Sequence, residues 1–233
     1  FYRRTVTGLC ETTTYEFSSW LINILPSSGC GGSGIPVNVS FEIWDGTNTN
    51  LLASGDTGNI PGTSTPIWKK YGLVFQTSTG QSSVILKMIN KGQGGCGNDL
   101  AIDDIEFKSC GDLISVSDSS GNNNSTLCSS QTPIATTLTA NPDGKVYNSH
   151  FYQWQESLDG SVWTDIVSET NQSLPISITT SKYYRSKVAE VAVNLNNIQC
   201  IALSDVYRII VNQAPSLPLL ECWQTATFNV ATC

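Results

Sequence analysis

Asp99, Asp103 and Asp104 stand close together in the stretch GGCGNDLAIDDIEF, and carboxylates this near one another invite a metal. Calcium takes several hard oxygen ligands, carboxylates and backbone carbonyls together. On LAIDDIEF, Ala101, Asp103, Ile105 and Phe107 share one strand phase. Ile105 and Phe107 belong in a core by type, so Asp103 is expected to turn inward with them. An inward carboxylate is costly unless it is paired or metal-bound. Asp103 and Asp104, as strand neighbours, are expected to point to opposite faces. They cannot by themselves form the acid pair of a glycoside hydrolase, and nothing in the sequence supports Glu42 as the missing partner.

Other catalytic arrangements find little to work with. A Ser-His-Asp or Cys-His set must use His150, the single histidine of the chain. It lies in VYNSHFYQW at a strand entrance, with no oriented partner in sequence and no glycine elbow around any serine. It reads as a strand-end histidine. GQGGCG at 92–97 has the glycines of a phosphate loop but no following lysine, and it opens onto an acidic strand. It reads as an inter-strand loop. No catalytic residue is expected.

Exposed aromatics are the ligand candidates. Trp44 and Trp68 fall on the polar phase of their strands, and Trp20 shares a phase with Glu16 and Ser18. Sugars stack on aromatic faces and bond to Asn, Asp and Glu. A face offering Trp44, Trp68, Trp20, Glu42, Asn38 and Lys87 would hold a glycan; the competing reading places these tryptophans under loops. Trp154 reads as the core tryptophan of a second sandwich, and Trp163 as a cross-strand packing residue.

The elements that must position these residues are strands. Of 233 residues only 13% are charged and 39% are hydrophobic, with Ser, Thr, Asn and Gly abundant. Disorder is excluded, because it requires high charge and little to bury. No apolar run approaches the roughly 20 residues of a membrane helix. The net charge is −7 and no basic patch exists, so a nucleic-acid partner is excluded as well. Residues 13–24, 37–45, 67–76, 82–90 and 100–107 read as strands, with Val37, Val39, Phe41 and Ile43 alternating against Asn38, Ser40, Glu42 and Trp44. Six or seven such strands predict a jelly-roll sandwich over 1–111. Segments 132–142, 151–157, 161–167, 173–179, 183–193 and 200–211 predict an immunoglobulin-like sandwich over 112–212, with an Asp159-Gly160 turn. The two prolines in APSLP mark 213–233 as a linker and the start of a further unit.

Eight widely spaced cysteines without a C-x-x-C pair favour disulfides over zinc. The expected pairs are Cys10–Cys110 across the ends of the first unit and Cys30–Cys96 between two Gly-rich loops. Cys128–Cys200 would flank Trp154, and Cys222–Cys233 would close a hairpin, unless either of these last two pairs with a cysteine elsewhere in a longer chain. FYRRTVTGLC lacks the apolar core of a signal peptide and reads as mid-domain sequence, so the chain is expected to be part of a longer, secreted or cell-surface protein.

VTGLCETTTYEFSSWLIN, WKKYGLVF and GGCGNDLAIDDIEFKSC resemble the jelly-roll modules of secreted Bacteroidota proteins, of the galactose-binding, carbohydrate-binding and MAM type. YQWQESLDGSVWTDI and KYYRSKVAE resemble the immunoglobulin-like domains that follow such modules. ECWQTATFNVATC is similar to the opening of a repeat in giant surface adhesins, including gliding-motility adhesins of the type IX secretion route. The resemblance implies a non-catalytic, monomeric adhesin fragment that contacts a surface polysaccharide and neighbouring repeats of its own chain. It also implies a structural Ca²⁺ at the strand carrying Asp103, with Asp104, Asp99 and Glu11 or nearby carbonyls completing the ligands. Three alternatives stay open: a purely structural stalk, the carbohydrate-targeting part of a secreted polysaccharide hydrolase, and a catalytic domain.

Overall fold

The computed structural model describes residues 1–213. The expected Cys222–Cys233 bridge and nearly all of the 213–233 segment lie outside the described residues. The chain divides into two units between Cys110 and Gly111. Among the described residues, no helix is long and apolar enough to cross a membrane.

Seven strands build the first unit: β1 (Tyr2–Thr7), β2 (Thr14–Asn23), β3 (Val39–Asp45), β4 (Leu51–Asp56), β5 (Lys69–Gln76), β6 (Ser83–Asn90) and β7 (Leu100–Ser109). They form two antiparallel sheets, ordered β1-β6-β3-β4 and β5-β2-β7. Period-2 alternation drives the stacking. Val39, Phe41 and Ile43 on β3, with Val84, Leu86 and Met88 on β6, meet Phe17 and Leu21 on β2, and all are almost fully buried. Burying each side chain of this size stabilises by about 1.5–3 kcal/mol. The sheets hold four and three strands, so the outer edges of β1 and β7 both lack a neighbour.

Nine strands build the second unit: β8 (Ile114–Ser117), β9 (Asn124–Cys128), β10 (Ile134–Pro142), β11 (Phe151–Ser157), β12 (Thr164–Asp165), β13 (Ser173–Ile178), β14 (Lys182–Ala189), β15 (Ala202–Leu203) and β16 (Tyr207–Asn212). Their sheets run β13-β10-β8 and β12-β11-β14-β16-β9, with β15 also on β14 and β9 parallel to β16. This is the strand order of an immunoglobulin-type sandwich. Trp154 on β11 is fully buried among Leu138, Tyr207 and Ile209, and its indole N–H donates to the Asn171 carbonyl at 2.9 Å. The Asp-Gly turn is present. The Asp159 carboxylate accepts the amides of Ser161 and Val162 at 2.8 and 2.9 Å, and Gly160 takes a φ of 77° that favours glycine.

The cysteines divide differently from expectation. Cys30 and Cys96 are bonded, with Cα atoms 5.9 Å apart, and so tie the two Gly-rich loops together. Beside this bridge, Gly97 at φ 119° passes so close to the Ile35 backbone that any side chain would collide with it. Cys110 is a free thiol, whereas Cys10 is disulfide-bonded, so the expected Cys10–Cys110 pair does not form. The Cys110 amide instead extends the β2–β7 ladder, donating to the Thr14 carbonyl at 2.8 Å. Cys128 and Cys200 are both disulfide-bonded, and the strand register holds them too far apart to be each other's partner. Lys182 pairs with Ile209 and Val188 with Ala202, six residues along β14. Cys128, beside Asn212, lies beyond the first level and Cys200 beyond the second. At about 3.3 Å per residue the two are about 20 Å or more apart, against about 6 Å between bridged Cα atoms. The physical reason is that Cys128 sits on edge strand β9, whereas β10 supplies the core with Leu138.

Candidate functional site

The acidic strand does not turn inward. β7 pairs with β2 through a bulge: Ser18 opposes Glu106 and Trp20 opposes Asp103, so Ser19 faces two residues, Asp104 and Ile105. Asp104 takes the left-handed φ of 46° that such an insertion needs. The extra residue flips the side-chain phase. Phe107 packs inward beyond the bulge and Ile102 before it, while Asp103 and Asp104 are both exposed. Asp103 accepts the Asp104 amide at 2.9 Å, and Ser19 donates to the Asp103 carbonyl at 2.9 Å.

The four expected calcium ligands are therefore dispersed. Asp99 lies at the level of Ile24, four residues or about 13 Å along β7 from Asp103. Glu11 lies before Thr14, about 20 Å from the level of Trp20, and its carboxylate accepts the Gly80 amide at 2.6 Å. Among the described residues, no three His, Cys, Asp or Glu side chains gather as a metal site.

The expected aromatic face splits between two sheets that point away from each other. Trp44, Glu42 and Lys87 lie on the outer face of β1-β6-β3-β4, where Glu42 pairs across β3–β6 with Lys87. There the Trp44 indole N–H donates to Glu42 at 2.7 Å, and the Lys87 ammonium sits 4.1 Å from the ring centroid. A cation–π contact of this kind covers one ring face with a protein group. Asn38 lies six residues from Trp44, ahead of β3, and donates to Asn59. Trp44 thus has its polar atom and one ring face already occupied.

Trp20 and Trp68 are on the other sheet, and 38% and 41% of their surface is exposed. Trp20 on β2 is flanked across the sheet by Lys70 on β5 and Asp103 on β7. Trp68 immediately precedes β5, one step past the Leu21–Lys69 pair. Next to them lies a charged lattice. Lys70 bonds Glu106 at 2.8 Å and Glu16 at 3.3 Å, with Lys108 at 3.8–4.0 Å from the same two carboxylates. Glu106 holds the Lys70 ammonium above its ordinary pKa, and Glu16 adds to it. The Ser18 hydroxyl and the two lysines hold the Glu16 carboxyl below the usual range against a smaller effect of burial. Gly72 keeps this face open between the charges and Trp20, because a Cβ there would stand 2.9 Å from that of Ser18. The arrangement offers two aromatic planes, an ammonium and carboxylates on one sheet face. It can stack and hydrogen-bond a polar ring; it holds no activated nucleophile.

Sequence reasoning missed one pair in the second unit. His150 Nε2 lies 2.6 Å from Asp112, whose side chain is fully buried. The second Asp112 oxygen accepts the amides of Val146 and Tyr147 at 2.7 and 3.2 Å. Burial alone would raise the Asp112 pKa, but the His150 bond and the two amides outweigh it and hold the carboxyl below its ordinary value. The imidazole packs against the rings of Tyr147 and Tyr152. This is a latch that ties the start of the second unit to the 146–150 turn. An aspartate 38 positions upstream carries no local signal, and the fold alone pairs it with the histidine. Trp163 is capped as Trp44 is, by the Arg185 guanidinium 4.1 Å from its ring centroid.

Residues 117–213 match a family model described as a domain of unknown function, DUF8696. That match covers most of the immunoglobulin-type unit and none of the first. No curated protein matches the chain.

Proposed function

We propose that the chain is a non-catalytic segment of a secreted or cell-surface adhesin that binds a glycan through the outer face of β5-β2-β7. The second sandwich then serves as a spacer to neighbouring repeats. The observation that carries this reading is the pair of exposed tryptophans, Trp20 and Trp68, beside Lys70 and Asp103 on one sheet face. Exposed aromatic area with ready hydrogen-bonding groups is the common composition of a sugar platform, and apolar surface left uncovered usually has a purpose. The bonded Cys30–Cys96 pair fits an oxidising, extracellular setting. The dispersed positions of Asp99, Asp103, Asp104 and Glu11 remove the basis for a calcium ion on those residues, so the proposal does not use one.

A glycan array of the intact chain, with Trp20→Ala and Trp68→Ala alongside Trp44→Ala, tests it. Binding lost in the first two variants and kept in the third is the expected result. Flat signals across all glycans would leave the stalk reading in its place.

A further inference from the structure

A cleft of about 420 Å³ opens in the first unit between edge strands β1 and β7. Leu86 forms its apolar floor, Tyr2 and Val6 line one side, and Ile105 and Phe107 line the other. Arg4 also lines it. On β1, Tyr2, Arg4 and Val6 share one phase, and Tyr2 and Val6 pack on the core. Arg4 therefore occupies a position that strand alternation assigns to the interior. Its side chain remains exposed, with no carboxylate partner among the described residues.

In a chain of net charge −7, a guanidinium without a carboxylate partner in an open cleft is suited to an anion. Arg binds carboxylates through two parallel hydrogen bonds in a fixed plane, and low surrounding polarity strengthens them. Tyr2 and Phe107 stack inward, on Phe17 and Tyr15, and so supply apolar walls rather than free ring faces. Two open strand edges beside an apolar floor also suggest an added peptide strand. Against that, β7 carries the Asp104 bulge and exposed charges at Glu106 and Lys108, which blunt an edge for pairing. A compact ligand fits better than a strand.

We propose that this cleft binds a carboxylate-bearing sugar, a uronic-acid residue of an acidic glycan, with Arg4 holding the carboxylate and the ring lying over Leu86. The proposal rests on the glycan reading for its ligand class; it does not use Trp20 or Trp68, although Glu106 and Lys108 border both the cleft and that face.

Calorimetric titration of the full chain with a tetragalacturonate, and with the same oligomer after its carboxyls are reduced to alcohols, tests this directly. The acidic oligomer is expected to bind and the neutral one not to. Arg4→Ala should weaken binding by about tenfold or more. Arg4→Lys should also weaken it, since an ammonium makes no planar fork. Trp20→Ala and Trp68→Ala should leave this affinity unchanged even if they abolish signals on the array. Thermal melts and circular dichroism check that each variant is folded. Three results would overturn the proposal: equal binding of the neutral oligomer, wild-type affinity in folded Arg4→Ala and Arg4→Lys, or displacement by inorganic polyphosphate as effective as by free galacturonate. So would self-association of Arg4→Ala without any uronate binding by the parent chain, which would make Arg4 a guard against strand pairing.

Discussion

The two sandwiches treat their tryptophans differently. In the second, Trp154 is sealed in the core with its N–H on the Asn171 carbonyl, and Trp163 is capped by Arg185. In the first, Trp20 and Trp68 keep much of their surface in solvent. Trp44 stands between these cases: it lies outside the core, yet Glu42 and Lys87 already engage it. Leaving the core is thus not the same as being available. What separates a platform from packing is whether a protein group already occupies the ring face and the indole N–H. By that criterion Trp20 and Trp68 are the open rings, and Trp44, Trp154 and Trp163 are engaged.

Several substitutions would break or sharpen this contrast. Trp154→Ala should have the largest effect, destabilising the second unit by about 5 kcal/mol, because it opens a cavity and strands a buried carbonyl. Denaturant unfolding followed by fluorescence would show it. Replacing Cys30 and Cys96 with serine should cost the first unit about 4 kcal/mol, the chain-entropy value for a loop of 66 residues. A calorimetric melt in which the second unit keeps its own transition would assign the loss to the first.

Asp112→Asn should destabilise the second unit by about 2–3 kcal/mol through its lost charged hydrogen bonds. Its pH dependence is a separate check. The folded pKa of Asp112 is depressed, so its contribution is fully present above the unfolded value near 4. That contribution is lost as pH falls through the folded value. Acid melts of the parent should therefore steepen below about pH 4, and those of Asp112→Asn should steepen less. Trp20→Ala and Trp68→Ala should change stability by only about 0.5–1 kcal/mol while removing glycan signals. A loss near that of Trp154→Ala would place them in packing instead. Smallest of all, EDTA should leave the melting temperature unchanged, because the four acidic side chains are spread along β2 and β7. A fall on chelation would restore calcium, at other ligands.

Much of the fold was legible because alternation reports burial directly. Val39, Phe41 and Ile43 were readable as one buried face, and Trp154 as a core residue. β1 and β4 were not. YRRTVT carries two adjacent arginines on an edge, and LLASGD has little apolar character on either phase. The candidate site was half legible. Trp20 and Trp68 were correctly placed on outward phases, but grouping them with Trp44 required knowing which strand joins which sheet. Asp103 was misread for a local reason: one inserted residue at Asp104 inverted the phase of everything beyond it, and a bulge leaves no periodic trace. Arg4 left no signal in the sequence, because YRRTVT has too few apolar residues to show which phase faces the core.

Sequence alone determined the class of this protein: all-β, tandem sandwiches, a Trp-centred second core, and cysteines spaced for bridges rather than for zinc. These follow from period, composition and residue type, which are local properties. Tertiary structure decided every question of company. It set which tryptophans share a face, which cysteines lie within bridging reach, how Asp112 finds His150, and where Arg4 emerges between unpaired edges. Those outcomes depend on sheet order and register, and both are chosen by packing across the whole chain rather than by any segment of it.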